Sequence, residues 1–240
     1  MRLPILSGTI ERRILVNYRV APDALARILP RPFRPWIVNG FGIGGVCLIR
    51  LGGIRVRGLP RAIGITSENA AHRIAVEWDT ADGLVRGVYV PRRDTSSWIN
   101  RIAGGRVFPG EHHAARFDVA EGGEHFTVSM ASDDGSARVA VAARVAPAFT
   151  PTPAFASFGE ASQFFESGSL GCSATRRSGE FDAIELRCSA WRMEPLDVER
   201  VESSFFDDRS AFPEGSASFD SAMLMRGVDH EWHGRESLCA

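Results

Sequence analysis

Short segments of alternating apolar and polar residues run through most of this chain, and they constrain its fold more than any other feature. In the first such segment, Ile10, Ile14 and Val16 point to one side of an extended chain. Glu11 and Arg13 point to the other side. A period of two residues is typical of a half-buried β-strand, and β-branched residues favour extended backbone. We therefore predict that the chain consists mostly of β-structure.

Turn signals divide the chain into many short strands and a few brief helices. Glycine-containing turns at residues 121–123 and 132–135 predict two β-hairpins. The predicted helices span residues 22–29, 94–102 and 159–167. The predicted strands span residues 10–19, 45–51, 62–66, 73–78, 85–90, 114–119, 125–130, 138–144, 170–175, 181–186, 190–199 and 218–225.

This order of elements predicts a β-rich α+β fold built on a closed or strongly curved antiparallel sheet. Residues 145–153 are rich in Pro, Ala and Thr, which is compatible with a linker or an exposed crossover. The stretch is short and the β pattern resumes after it. We therefore expect one domain over residues 1–240.

The bulk composition excludes several classes of protein. Hydrophobic residues make up 44% of the chain, which is enough to form a core and excludes a largely disordered chain. The formal net charge is -1, so no global field favours nucleic acid or an anionic membrane. We find no signal peptide and no apolar run of ~18 residues. The four cysteines share no CxxC spacing. These features predict a cytoplasmic protein with free thiols.

The chain contains no lysine, because all 28 residues of the Lys+Arg class are arginine. Codon usage in a GC-rich genome is enough to explain this choice. It still has a chemical consequence, since arginine remains protonated and does not become a neutral nucleophile. No side-chain amine can therefore form a Schiff base.

The densest polar cluster is residues 67–73, where one predicted strand ends and the next begins. Glu68 and His72 are candidates for an acid/base pair at the mouth of a cavity, and Asn69 for ligand binding. The alternative is a loop whose polar side chains satisfy the backbone of a turn. Arg73 follows directly and is a candidate for holding an anion.

A second cluster contains Arg92 and Arg93 on a predicted turn from strand to helix. Guanidinium groups beside a helix N-terminus favour a carboxylate or phosphate, which makes both arginines candidates for ligand binding. The alternative is that one of them pairs with Asp94 or Glu68 and fixes the loop.

Histidines supply the remaining candidates. His112 and His113 are adjacent in a predicted strand, so at most one of them faces a given cavity. The one that faces inward is a candidate base, a neutral donor or a packed core group. His230 and His233 near the C-terminus form an HxxH pair, a weak metal signal by itself. No phosphate-loop, dinucleotide or nucleophile-elbow motif occurs, so we expect neither a cofactor nor a metal.

Several of these segments together resemble a known family. The segments are residues 10–30, 67–73, 89–97, 105–110 and 225–233. They resemble the YqjF-like family, domain-of-unknown-function family 2071, within the acetoacetate-decarboxylase-like superfamily. The resemblance covers nearly the whole chain. It implies a curved antiparallel β-barrel or cone around a central cavity, with a few short flanking helices.

The resemblance also points to a missing nucleophile. In acetoacetate decarboxylase, a strand-entry motif with two adjacent lysines supplies the Schiff base. The comparable stretch here is residues 105–113, which implies that His112 and His113 stand where the lysine pair would be. Arg106 in this stretch is a further candidate for ligand binding. An imidazole cannot form the iminium that acts as an electron sink, so decarboxylation by that route is not expected.

Three functional hypotheses follow from these residues. The first is an enzyme for a small carboxylate or carbonyl compound, in which His112, His113, Glu68 and His72 move protons. A lyase, isomerase or hydrolase step is compatible with these groups. The second is a non-catalytic small-molecule binding protein that has lost the superfamily nucleophile. The third, a metal site built from histidines and a carboxylate, ranks last. We expect no nucleic-acid or membrane partner, and a homo-oligomer is compatible with the sequence.

Overall fold

A computed structural model describes residues 4–103 and 110–239. The three α-helices of this part are α1 (Pro22–Ile28), α2 (Trp98–Ala103) and α3 (Phe158–Ser167), and Arg61–Ile63 forms a 3₁₀ turn. The strands are β1 (Leu6–Val20), β2 (Arg34–Pro35), β3 (Ile37–Val38), β4 (Phe41–Val56), β5 (Ile65–Thr80), β6 (Gly83–Thr95), β7 (His112–Gly122), β8 (His125–Ser132), β9 (Arg138–Val145), β10 (Leu170–Ala174), β11 (Glu180–Cys188), β12 (Glu194–Ser203), β13 (Ala217–Gly234) and β14 (Leu238–Cys239).

The strands form one strongly curved sheet whose order returns on itself. β1 lies between β13 and β4, and β4 continues through β5 to β6. β6 then pairs with β10, β10 with β11, and β11 with β13, which closes a ring of strands. A second path from β6 to β13 runs through β7, β8, β9 and β12. Each strand of this ring has a partner on both sides, so the ring itself has no free edge. The predicted β-rich fold with a curved sheet is confirmed.

Two hydrophobic cores lie on opposite faces of the shared strands. On β4, Val46 and Leu48 belong to the first core, which also contains Trp78. The residues between and after them, Cys47 and Ile49, belong to the second core. Successive side chains of a strand point to opposite faces, so the long strands β1, β4 and β5 supply both cores at once.

Helix α3 closes the second core. Its N-cap is Ser157, whose hydroxyl oxygen accepts a hydrogen bond from the backbone N–H of Glu160 at 3.2 Å. Phe164 and Phe165 are buried one turn before the helix ends at Gly168. Within the described residues, every helix is too short or too polar to cross a membrane.

The sequence placed two strand boundaries wrongly. Residues 67–73 are not a loop between two strands but the middle of β5. Residues 91–95 are not a turn but the end of β6. In both cases the ladder continues because neighbouring strands pair with the polar residues: Ala71 lies opposite Arg93 and His72 opposite Arg92. The polar composition of these segments therefore reflects what they face and not a break in the strand.

Candidate functional site

A pocket of about 110 Å³ lies on the second-core face of the sheet. Seven strands and helix α2 contribute its lining, and isoleucine and leucine side chains together with Trp232 form its apolar wall. Its polar lining includes Arg13, Cys47, Asn69, Arg93, Asn100 and His112. A mostly apolar pocket with a few converging polar groups is the usual form of a small-molecule site.

Strand pairing explains why Arg93 and His112 meet at this pocket. β6 and β7 are parallel, and Arg93 lies directly opposite His112 in the register. Paired residues of neighbouring strands present their side chains on the same face. Of the two adjacent histidines, His112 therefore lines the pocket, while His113 lies on the other face and contacts Asp134.

Three arginines on this face have no carboxylate partner among the described residues, and we call Arg13, Arg73 and Arg93 the unpaired arginines. Arg13 Nε donates to Cys47 Sγ at 3.4 Å, and Arg93 Nη2 donates to Ser173 Oγ at 3.1 Å. Buried nitrogens remain without a hydrogen-bond acceptor on all three: Nη1 of Arg13 and Nε of Arg73 and of Arg93. An unsatisfied buried donor is costly, and an anion bound on this face would supply the missing acceptors.

Arg73 lies in a recess of about 30 Å³ that shares Arg13 with the pocket. Its guanidinium donates to Asn17 Oδ1 and stacks over the ring of Phe165 at 4.8 Å. Burial lowers the pKa of Arg73 and the pKa of Arg93 to about 10. Both groups therefore stay positively charged near neutral pH.

The surroundings of His112 change its protonation. Burial, followed by the charge of Arg93, lowers the pKa of His112 to about 4. The imidazole is therefore neutral near pH 7. Its Nδ1 lies 3.2 Å from the carbonyl oxygen of Gly110, which only accepts, so Nδ1 carries the proton. In this tautomer Nε2 is the unprotonated nitrogen.

An amide network forms the rim of the pocket beside α2. Asn69 Oδ1 accepts from the Thr95 hydroxyl at 2.8 Å, and Asn69 Nδ2 donates to Ser67 Oγ at 2.9 Å. Asn100 Nδ2, from α2, donates to the same Ser67 hydroxyl at 3.1 Å. These hydrogen bonds fix the orientation of the Asn69 amide at the pocket.

Glu68 lies on the opposite face from Asn69 and belongs to an ion-pair network. Its two carboxylate oxygens accept from Arg12 Nη2 at 2.5 Å and from Arg50 Nε at 2.6 Å. Both arginines also contact Glu121. This carboxylate is fully engaged and does not line the pocket.

Arg92 also forms ion pairs. The sequence left open whether it binds a ligand or pairs with a carboxylate, and in the structure it pairs with Asp94. Its Nη2 lies 2.8 Å from Asp94 Oδ1 and 2.9 Å from Asp134 Oδ2, and its Nη1 donates to Ser136 Oγ at 2.6 Å. Asp94 contributes to the pocket lining, but its carboxylate is held by Arg92 on the far side. Arg92 therefore pairs with carboxylates, whereas Arg93 pairs with none in the described part of the chain.

His72 is fully buried in the first core, away from the pocket. Its ring packs 5.0 Å from that of Phe205, and neither ring nitrogen has a hydrogen-bond partner in the described part of the chain. Burial, followed by the charge of Arg92, lowers the pKa of His72 to about 4. Glu68 and His72 do share a strand face, but His72 lies against aromatic side chains.

Neither histidine of the HxxH pair lines the pocket. Arg106 lies outside the described residues. His233 Nε2 contacts Glu231 Oε2 at 2.8 Å on β13, where the HxxH spacing sends His230 and His233 to different faces. Across residues 4–103 and 110–239, no group of three or more His, Cys, Asp or Glu is arranged to hold a metal.

A comparison with protein families gives one match, over residues 8–227. The matching family model is DUF2071, described as "Uncharacterized conserved protein". The chain belongs to the DUF2071 family. No curated protein sequence matches the chain significantly.

Solved structures of acetoacetate-decarboxylase-like proteins share the fold of this DUF2071 member. Acetoacetate decarboxylase from Legionella pneumophila superposes with a TM-score of 0.62 at 11% identity, covering 99% of this chain and 87% of that one. An acetoacetate decarboxylase-like enzyme from Sphingomonas wittichii gives 0.60 at 12% identity, covering 98% and 92%. The enduracididine biosynthesis enzyme MppR, solved with pyruvate, gives 0.57 at 13% identity, covering 96% and 88%. At these identities the similarity establishes the fold.

Sequence reasoning missed several residues that line the pocket of this DUF2071 chain. Arg13 and Cys47 both line the pocket. The sequence alone places Arg13 on the polar side of β1 and predicts no function for Cys47. A signal for Arg13 was present, because Arg12-Arg13 repeats the pattern of Arg92-Arg93: two adjacent arginines in a strand must face opposite sides. Only the tertiary structure shows which member of each pair faces the pocket.

Proposed function

We propose that this protein binds a small organic carboxylate in the pocket formed by Arg13, Arg93 and His112. The observation that carries the proposal is the set of unpaired arginines: three guanidinium groups face one side of the sheet, and no carboxylate of the described residues forms an ion pair with them. Guanidinium groups match the geometry of a carboxylate and bind it through charge-assisted hydrogen bonds. A bound carboxylate would satisfy the nitrogens that now lack acceptors.

The size of the pocket limits the ligand. Its volume of about 110 Å³ is smaller than a cavity of ~150 Å³ that accommodates benzene. A carboxylate with two to four carbon atoms is therefore the expected class. MppR has been solved with pyruvate, a three-carbon keto acid. Pyruvate is accordingly a suitable probe.

Any chemistry at this site proceeds without a lysine iminium, since the chain has no lysine. We assign His112 the role of the proton-transferring group, because it lines the pocket, is neutral near pH 7 and has Nε2 unprotonated. Asn69 would orient a polar group of the ligand at the rim. A proton-transfer step, as in a lyase or isomerase, fits this set better than a hydrolysis that needs an additional acid.

Thermal denaturation tests ligand binding directly. We expect pyruvate to raise the Tm, with a stabilisation of ~2.7 kcal/mol at 100 times its Kd. Pyruvamide, which has the same shape without the negative charge, should have little effect. Arg93→Met should abolish the shift. Arg34→Met is the matched control, because Arg34 is half exposed and paired with Asp79, far from the pocket lining.

Two results would overturn the proposal. One is equal stabilisation by pyruvate and pyruvamide, which would show that charge is not recognised. The other is an unchanged pyruvate shift in Arg93→Met, which would place the anion elsewhere. Solvent exchange of the pyruvate methyl protons, followed by NMR in heavy water, tests the assignment of His112: the His112→Gln variant should exchange them more slowly than the wild type.

A further inference from the structure

Cys47 is the described cysteine that lines the pocket. It is 7% exposed, lies on β4 and points to the same face as Arg13 and His112. Cys172 lies in the first core, where burial raises the pKa of its thiol to about 12. Cys188 lines a different depression, beside His230. The position of Cys47 is therefore distinct from that of the other described thiols.

The surroundings of Cys47 are cationic. Arg13 Nε donates a hydrogen bond to its sulfur at 3.4 Å. The charges of Arg73 and Arg93 also interact with this sulfur. A thiol gains negative charge as it attacks an electrophile, and neighbouring guanidinium groups stabilise that charge.

A second observation at the same place points to a ligand. Arg73 is 5% exposed, and its Nε has no acceptor in the described structure. It lines the recess that adjoins the pocket through Arg13. A carboxylate bound by Arg13 would lie beside Cys47, because Arg13 Nε lies 3.4 Å from Cys47 Sγ.

We propose that Cys47 is a nucleophile that adds reversibly to the carbonyl carbon of a small α-keto acid or aldehyde acid. In this step a bond forms between Sγ and the carbonyl carbon, and the carbonyl π bond breaks. The thiol proton ends on the former carbonyl oxygen, which gives a hemithioketal or hemithioacetal. No oxidant, reductant or leaving group is required. The inference rests on the proposed carboxylate site and adds a covalent step to it.

Alkylation of the full-length protein tests the reactivity. Iodoacetate and iodoacetamide both transfer a two-carbon group to sulfur and release iodide, but only iodoacetate carries a carboxylate. We expect iodoacetate to modify Cys47 about tenfold or more faster than iodoacetamide does, because the site concentrates anions. Peptide mass spectrometry gives the rate at Cys47 and, within the same sample, the rate at Cys188.

Variants and protection assign the effect. Pyruvate should slow the modification of Cys47 by iodoacetate and leave that of Cys188 unchanged. Arg93→Met should remove the preference for iodoacetate at Cys47. In an independent measurement, pyruvate labelled with carbon-13 at its carbonyl carbon should show, with wild-type protein, an NMR signal of a tetrahedral carbon that is separate from the signal of free pyruvate hydrate. Cys47→Ser should lack that signal.

The outcomes separate this inference from the proposed function. Pyruvate stabilisation without any preference for iodoacetate at Cys47 overturns the nucleophile and leaves the carboxylate site standing. A Cys47 that resists both reagents while Cys188 reacts also overturns it. The absence of both pyruvate stabilisation and preferential alkylation overturns the two proposals together.

Discussion

Arg12 and Arg13 are neighbours in the chain, yet they face opposite sides of β1 and meet different partners. Arg12 is 2% exposed and contacts the carboxylates of Glu68 and Glu121. Arg13 contacts the Cys47 thiol and has no carboxylate partner among the described residues. Arg92 and Arg93 repeat this division on β6. Arg12 and Arg92 are therefore neutralised by carboxylates of the protein, whereas we propose that Arg13 and Arg93 meet the carboxylate of a ligand.

This comparison has an energetic meaning. A buried charge with its partners in place depends on them, and removal of one member leaves the other uncompensated. A buried charge without a counterion already bears the cost of desolvation in the free protein. Stability and binding should therefore respond in opposite ways to substitutions on the two faces.

The largest expected effect comes from Arg12→Met compared with Arg13→Met. We expect Arg12→Met to lower the free energy of unfolding by about 3 kcal/mol, because Glu68 and Glu121 lose a buried partner. Arg13→Met should change it by less than ~1 kcal/mol, since the methionine retains the packing of the arginine stem and removes an unpaired charge. Urea unfolding measures both. Equal losses in the two variants would show that the faces do not differ.

The second expected effect is a loss of stability at low pH, to which His72 in the first core and His112 at the pocket both contribute. The pKa of His72 and the pKa of His112 are both about 4 in the folded protein, against ~6.5 in an unfolded chain. The unfolded chain therefore binds more protons between pH 6.5 and 4, so stability is complete above this window and falls as the pH decreases through it. Between pH 7 and pH 5, each histidine should lower the free energy of unfolding by about 2 kcal/mol.

Urea unfolding at the two pH values isolates the contribution of His72. His72→Leu should reduce the loss of stability on acidification by about 2 kcal/mol. His125→Leu is the matched control, since His125 is exposed on β8. A pH dependence that is identical in wild type and His72→Leu would contradict the assignment. Pyruvate should diminish the contribution of His112 and not that of His72, which sharpens the distinction between the faces.

The smallest expected effect defines a reference for exposed arginines. Arg200 pairs with Glu202 at 2.8 Å on β12, and both side chains are more than half exposed. Arg200→Met should change the free energy of unfolding by less than ~1 kcal/mol, because water and salt already screen such a pair. A loss as large as that of Arg12→Met would mean that burial does not govern these differences.

Much of the fold was readable from the sequence because strand alternation is local. The alternation from Ile10 onward predicted β1, and the turns at residues 121–123 and 132–135 predicted the hairpins that join β7, β8 and β9. The polar segments within β5 and β6 were misread, since their polarity comes from partners that are distant in the chain. Arg92, for example, contacts Asp134.

The candidate site was only partly readable. His112, Arg93, Arg73 and Asn69 were chosen from the sequence, and the structure places them on one face of the sheet. Glu68 and Arg92 lie in ion pairs, His113 contacts Asp134, and His72 is buried against Phe205 of the first core. Their catalytic and binding roles stay predictions.

What the sequence by itself determined is chemical and local: the β-structure, the split of each adjacent pair of polar residues between two faces, and the absence of any lysine amine. The tertiary structure decided which face became which. Whether an arginine meets a carboxylate depends on the register of strands that are far apart in the chain, as when β7 brings His112 opposite Arg93. Register depends on all the strands of the closed sheet. The unpaired arginines and the position of Cys47 could therefore be recognised only in the tertiary structure.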